Sequence, residues 1–264
     1  MIKNIIKATE ITEPKLKIAI IGDTGIGKSW LAASIASPEN PVLDLDFDGR
    51  AASLAGKADV YVKTYVDKDF SSPTAMSELE SDINEWEYEF SQNKLLFKTF
   101  VIDSASYMRM ATEREIIRQQ PTLSRGIKVG TKSLKIGQGY DVFNGNKMFT
   151  EHIISRLSQL GNLIVTFHER NEKDETKSTE TKKVFTGFIT VDPPHLSGLL
   201  STFNDVWRLT ASDVGAGDKR ILITGLTNDF IGKTTFKGLA VQEEPDIKKL
   251  IAKHKEFISR NGNK

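Results

Sequence analysis

IAIIGDTGIGKSWLAASIA, residues 18–36, sets a run of branched apolar residues directly before Gly22-x-x-x-x-Gly27-Lys28-Ser29 and a helix-forming run directly after it. Strand, glycine-rich loop and helix in that order are the context in which this spacing binds phosphate. Glycine is expected at positions 22, 25 and 27 because the backbone must curl its N–H groups toward phosphate oxygens, and a side chain would block the approach. Lys28 supplies a point charge for the terminal phosphates, Ser29 a hydroxyl for Mg²⁺, and the following helix turns its positive end to the anion. The candidate nucleotide-binding set is Gly22, Asp23, Thr24, Gly25, Ile26, Gly27, Lys28, Ser29 and Trp30, with ATP and Mg²⁺ as the implied cofactors. A second Gly-Lys-Thr, in DFIGKTTF at 229–236, has no glycine five residues before Gly232 and β-hairpin flanks, so it is not expected to bind nucleotide.

Outward from that loop, the 264-residue chain is long enough to bury a substantial core. Thirty-six Lys and Arg against thirty-five Asp and Glu leave a formal charge of +1, so any argument for nucleic acid must be local. There is no cysteine, which excludes disulfides, thiolate metal sites and thiol catalysis. Met1 to Lys17 carries only Ile2 and Ile5-Ile6 as apolar pieces, so the expectation is a soluble, cytoplasmic protein without a membrane partner.

Strand patterns at Lys17 to Ile21, Val42 to Phe47, Val60 to Tyr65, Thr99 to Ile102 and Leu163 to Phe167 alternate with helical ones, which predicts an α/β fold with a parallel sheet covered on both faces. Met76, Leu79, Ile83, Trp86 and Phe90 make one helix stripe; the acids between them read as a solvated face or a docking surface. Beyond residue 183, Val184 to Val191, Val206 to Leu209, Arg220 to Gly225 and Ile231 to Phe236 predict an antiparallel extension of the sheet. A terminal amphipathic helix follows within 241–264, carrying Ile247, Leu250, Ile251, His254, Phe257 and Ile258, and residues 1–240 form the core.

Asp103 ends the apolar run LLFKTFVID, where an ionised carboxylate is costly unless a cation or hydrogen bonds satisfy it. Metal coordination opposite Ser29 meets that need, and a helix cap is the alternative. Ser104 stands where many P-loop ATPases place a catalytic glutamate, so the base must come from elsewhere. In VLDLDFDGRAASL, residues 42–54, alternation puts Asp44, Asp46 and Asp48 on one side of a strand that runs out at the carboxyl edge. One of them activates a water there, or the run is only a polar strand end that caps the following helix.

With VIDS at 101–104 and LIVTFHER at 163–170 added, the chain resembles the RecA-type core ATPases over residues 15–240. More closely it resembles phage-encoded RecA-core proteins concerned with nucleotide binding or single-strand annealing. The resemblance implies a RecA-like P-loop NTPase core, with another strand between the phosphate-loop strand and that of Asp103. It implies Asp48 as the catalytic carboxylate, in place of the family's glutamate, and His168 or Glu169 as the group that senses the γ-phosphate; a satisfied strand-end histidine is the other reading of His168. Lys233 would reach a neighbouring subunit's site, although Thr235 does not supply the second basic residue that some relatives carry. The catalytic set is thus Lys28, Asp48, Asp103 and Glu169, and the metal set Ser29 and Asp103.

The same resemblance directs two loops toward nucleic acid. In residues 118–147, Arg118, Arg125, Lys128, Lys132 and Lys135 are interleaved with glycines, and Tyr107, Tyr140 and Phe143 are nearby as base platforms. Such a loop also serves as solvated padding or a subunit contact. Residues 170–183 form a second, polar loop of weak net charge. The expected function is ATP-dependent recombination by an oligomer, ring or filament, on single-stranded DNA, with a single-strand binding protein among its partners. The alternatives are a motor or loader acting on a protein such as a replicative helicase, and a nucleotide-gated binding module with little turnover.

Overall fold

The computed structural model describes residues 15–120, 124–129, 132–137, 140–173, 185–211 and 219–261. The branched apolar runs form β1 (Lys17–Gly22), β2 (Val42–Asp46), β3 (Val60–Thr64), β4 (Thr99–Asp103) and β7 (Asn162–Lys173). All five are parallel, and β7 lies between β1 and β4 as expected. With β8 (Phe185–Asp192), β9 (Asp205–Ala211), β10 (Arg220–Ile223) and β11 (Gln242–Glu243), the sheet runs β3-β2-β4-β7-β1-β9-β10-β11, and β8 pairs with the far half of β7.

The sheet separates two apolar layers. Leu43, Leu45, Phe100, Leu163 and Val165 face α2 (Ala75–Ser91), α3 (Ala105–Gln119) and α4 (Tyr140–Leu160), whose Leu79, Met108 and Leu157 are fully buried. Ile18, Ile20, Val42, Val101 and Ile164 face α1 (Lys28–Ala32) and α5 (Ile247–Asn261) through Leu31, Ile247 and Leu250. The first N–H groups of α2 have no cap from Thr74; Asp67 accepts from Thr74 and Ala75 at 2.9 and 3.0 Å, and Arg114 holds that carboxylate at 3.1 Å.

Several expectations are corrected. β9 runs parallel to β1, so the extension is antiparallel only at β8, β10 and β11. Residues 231–236 form isolated bridges instead of a strand: Lys233 pairs with Val206 of β9, and beyond it Asp205 takes the Thr235 N–H at 2.7 Å and the Thr234 hydroxyl at 2.8 Å, which stops the ladder. No helix follows its Gly-Lys-Thr, which accords with its not being a nucleotide loop. Phe90 is exposed although it continues the α2 stripe. The 118–147 loop contains a hairpin, β5 (Ser124–Val129) and β6 (Lys132–Gly137), flanked by the end of α3 and the start of α4. Arg170 to Lys173 belong to β7, because pairing with β8 carries that strand beyond the sheet core; the rest of the polar loop, 174–183, lies outside the described residues.

Candidate active site

Register and alternation decide which side chains meet at the carboxyl edge. Gly22 aligns with His168 of β7 and Leu209 of β9, and Asp103 of β4 aligns with Asp46 of β2. Val101 and Ile164 face α1, so Asp103, Thr166 and His168, two and four positions on, share that face with the phosphate loop.

Within the loop, Gly25 and Gly27 have φ of 78° and 103°, the left-handed region where glycine is favoured. Gly22 is required for a different reason, since a Cβ there would lie 2.5 Å from the Leu209 carbonyl oxygen. Lys28 is buried and donates from Nζ to the carbonyls of Gly22 at 2.9 Å and Asp23 at 2.8 Å. Burial pulls its pKa down, against the upward pull of Asp103, Asp23, Glu169 and Asp48. A cavity of about 210 Å³ is lined by Lys28, Ser29, Trp30, Asp48, Asp103 and His168, among others. Pockets that enclose drug-sized ligands run about 300–1,000 Å³, so this one suits the phosphate end and leaves the base near the surface. A larger cavity of about 990 Å³, beside Leu16, Phe236 and His254, opens at the other end of the parallel strands, away from the phosphate loop.

Asp103 accepts the Thr166 hydroxyl at 2.6 Å, which fixes its carboxylate. Among the described residues no group of three or more His, Asp or Glu side chains is placed to cage a metal. Mg²⁺ needs no such cage, because it keeps several waters and takes its other ligands from one or two protein oxygens and the phosphates. Ser29 and Asp103, lining one cavity with Lys28, fit that donor set.

The aspartates of β2 separate into distinct parts. Asp46 accepts the N–H groups of Asp48, Gly49 and Arg50 at 3.1, 2.8 and 3.3 Å and the Thr64 hydroxyl at 3.2 Å, so its carboxylate builds the turn. Asp48 lines the cavity, and burial with a hydrogen bond to Asp46 pushes its pKa up to about 6. Asp44 is 1 % exposed, and its Oδ2 has no hydrogen-bond partner. Burial and the charges of Asp103, Asp46 and Asp48 raise its pKa well above the usual carboxylate range. A raised folded-state pKa contributes stability fully present below the unfolded value, about 3.9, and lost as pH rises through the folded value. Asp44→Asn removes that titration and keeps the shape. The variant should melt higher than wild type at pH 8, by on the order of 1–3 kcal/mol, with a smaller gap at pH 5. Thermal melts at the two pH values check this; an equal gap at both would contradict it.

His168 Nδ1 and the Thr24 hydroxyl of the loop share a 3.0 Å hydrogen bond. Burial and nearby Lys28 lower its pKa, favouring the neutral imidazole. Its backbone N–H donates to Ser106 Oγ at 3.1 Å. Tyr107 packs edge-on against its ring at 5.5 Å, which places this tyrosine beside the phosphate site. Glu169 is corrected as a catalytic candidate, since alternation sends it to the opposite face. There it forms a two-bond ion pair with Arg208 at 2.9 and 3.2 Å, and Arg208 also reaches Asp229 at 2.9 Å. Trp30 is exposed, with Lys57 Nζ 3.3 Å from its ring centroid.

Arg118 lies in the last turn of α3, where its guanidinium is engaged by Glu115 at 2.5 and 2.8 Å, just before the hairpin. Arg125 and Lys128 lie on β5 and Lys132 and Lys135 on β6, and their side chains are outside the described residues. Phe143 is exposed on α4 and packs at a tilt of 37° against His195, ring centroids 5.1 Å apart. Lys233 pairs its backbone with Val206, which aligns with Ala19, three residues before the end of β1; its Nζ donates to the Ser201 carbonyl at 3.4 Å. Sequence reasoning missed Thr166, which period-two counting back from His168 would have found, and Arg220, for which no local pattern gave a signal.

A family model described as AAA domain matches residues 14–236, most of the chain, so the protein belongs to that family of P-loop ATPases. No curated protein matches the sequence. Among the described residues no helix is long and apolar enough to cross a membrane.

Proposed function

We propose that this AAA-domain P-loop ATPase binds and hydrolyses MgATP in order to control its grip on single-stranded DNA, and that as an oligomer it promotes annealing or strand pairing. The observation that carries the reading is the double role of β7. Through His168 it touches the phosphate loop, and from His168 to Lys173 it leaves the parallel core to pair with β8 as a projecting ribbon. The residue that meets the phosphate loop is thus continuous with the stretch of β7 that pairs with β8 alone.

Lys28 and the loop N–H groups bind the phosphates, and Ser29 with Asp103 would hold Mg²⁺, which offsets charge on the phosphate oxygens. Asp48 takes the proton of an attacking water, while Asp46 holds the turn that places it. Neutral His168 donates a hydrogen bond to a γ-phosphate oxygen in exchange for its contact with Thr24. That exchange biases the β7–β8 ribbon, and loss of the γ-phosphate reverses it. The hairpin carrying Arg125, Lys128, Lys132 and Lys135 supplies phosphate contacts along the strand.

At fixed salt, MgATP or a non-hydrolysable analogue should tighten binding to a labelled single strand about tenfold relative to MgADP. Lys128→Ala should weaken binding regardless of base sequence and lower the salt slope by about 1. Fluorescence anisotropy measures both. Equal affinity with ATP, ADP and no nucleotide would remove the DNA reading and leave a P-loop ATPase acting on something else.

A further inference from the structure

From the opposite flank of the phosphate loop a cation arrives that no loop motif encodes. Arg220 opens β10, two strands beyond β1 on the side away from β7 and β4. A Cβ on Gly27 would lie 2.4 Å from Arg220 Nη1 and 3.1 Å from its Cζ, so the guanidinium rests on the bare Cα of the residue before Lys28. Gly27 is required by its φ of 103°, and its bare Cα leaves the guanidinium this seat. Two other cations line the cavity: Lys28, which donates to the Gly22 and Asp23 carbonyls, and Arg50, 3.8 Å from Asp48. Arg220 is exposed and has no hydrogen-bonded or ion-paired partner among the described residues. The three aspartates Asp23, Asp48 and Asp103 outnumber Lys28 at the loop, so a bound triphosphate needs further positive charge.

We infer that Arg220 is a nucleotide-contacting residue, supplied in cis, that grips phosphate oxygens shared by ATP and ADP. This rests on the reading of 22–29 as the nucleotide loop. Asp103 and His168 reach the loop from β4 and β7; Arg220 comes from the other flank, next to Gly27, and would hold phosphate oxygens from that side. Its planar fork suits two oxygens at once, which a lysine cannot match. Such a contact is made equally in the bound ground state and the transition state, so it sets affinity more than turnover.

The test is calorimetric titration of the full chain with MgADP and MgATP for wild type, Arg220→Ala, Arg220→Lys and Lys28→Ala, with thermal melts of each nucleotide-free protein. Arg220→Ala should weaken both nucleotides by about tenfold and by the same factor, with Arg220→Lys in between and kcat changed less than about threefold. Unchanged or tighter MgADP binding in Arg220→Ala, or a loss confined to kcat, would overturn the inference. If Arg220→Ala does not fold, the same outcomes are read on Arg220→Lys, where unchanged MgADP binding overturns it. If Lys28→Ala binds as wild type does, it is the reading of the loop that fails, and the assignment of Arg220 falls with it.

Discussion

Lys28→Ala should abolish detectable ATP turnover, a loss on the order of 10³-fold, and weaken MgATP binding about a hundredfold. Lys28 is buried, and its ammonium sits among the carboxylates of Asp103, Asp23 and Asp48. Deleting it leaves that negative cluster facing a polyphosphate, so the loss includes repulsion as well as a missing donor. Arginine should not rescue it, because a compact ammonium meets the two carbonyls at 2.9 and 2.8 Å and a longer, planar fork does not reproduce that geometry. Phosphate release and equilibrium nucleotide titration on the same preparations measure the two losses. A Lys28→Ala protein that hydrolyses ATP at the wild-type rate would place the chemistry elsewhere.

The second large effect is expected at Asp48. Asp48→Asn should lower kcat about 10²–10⁴-fold while MgATP binding stays near wild type, because a general base acts on the water and not on nucleotide affinity. The pH dependence follows from burial beside Asp46, which sets the Asp48 pKa near 6. The ionised form accepts the proton, so the wild-type rate should climb about tenfold per unit up to that pH and level off above it. The residual rate of Asp48→Asn should be flat over the same range. Asp46→Asn should behave differently and lower stability, because three N–H groups and the Thr64 hydroxyl lose a charged acceptor. If Asp46→Asn alone abolished turnover in a fully folded protein, the two roles would be exchanged.

The phosphate loop was legible because its spacing states a backbone shape, and Asp103 because a charge closing an apolar run needs a reason. Period-two alternation carried Asp44, Asp46 and Asp48 to one face, yet could not divide their tasks. That division comes from the turn at Asp48 to Arg50, whose N–H groups converge on Asp46. His168 and Glu169 are adjacent in sequence, and only the register of β7 against β1 shows that one reaches Thr24 and the other Arg208. The late strand expected at Ile231 to Phe236 failed because Asp205, distant in sequence, competes for its N–H and hydroxyl groups. Arg220 was illegible because its approach to Gly27 depends on β9 and β10 folding beside β1, a contact with no local signature.

In the proposed function this phosphate loop hydrolyses ATP and, because His168 joins the loop to the β7–β8 pair, a bound single strand alters the rate. The most direct test is steady-state phosphate release by the full chain, with and without single-stranded DNA at constant salt, for wild type beside Lys28→Ala. Wild-type hydrolysis should rise when the strand is added, with background release from Lys28→Ala under both conditions. Release that ignores the strand, or that survives in Lys28→Ala, would contradict it.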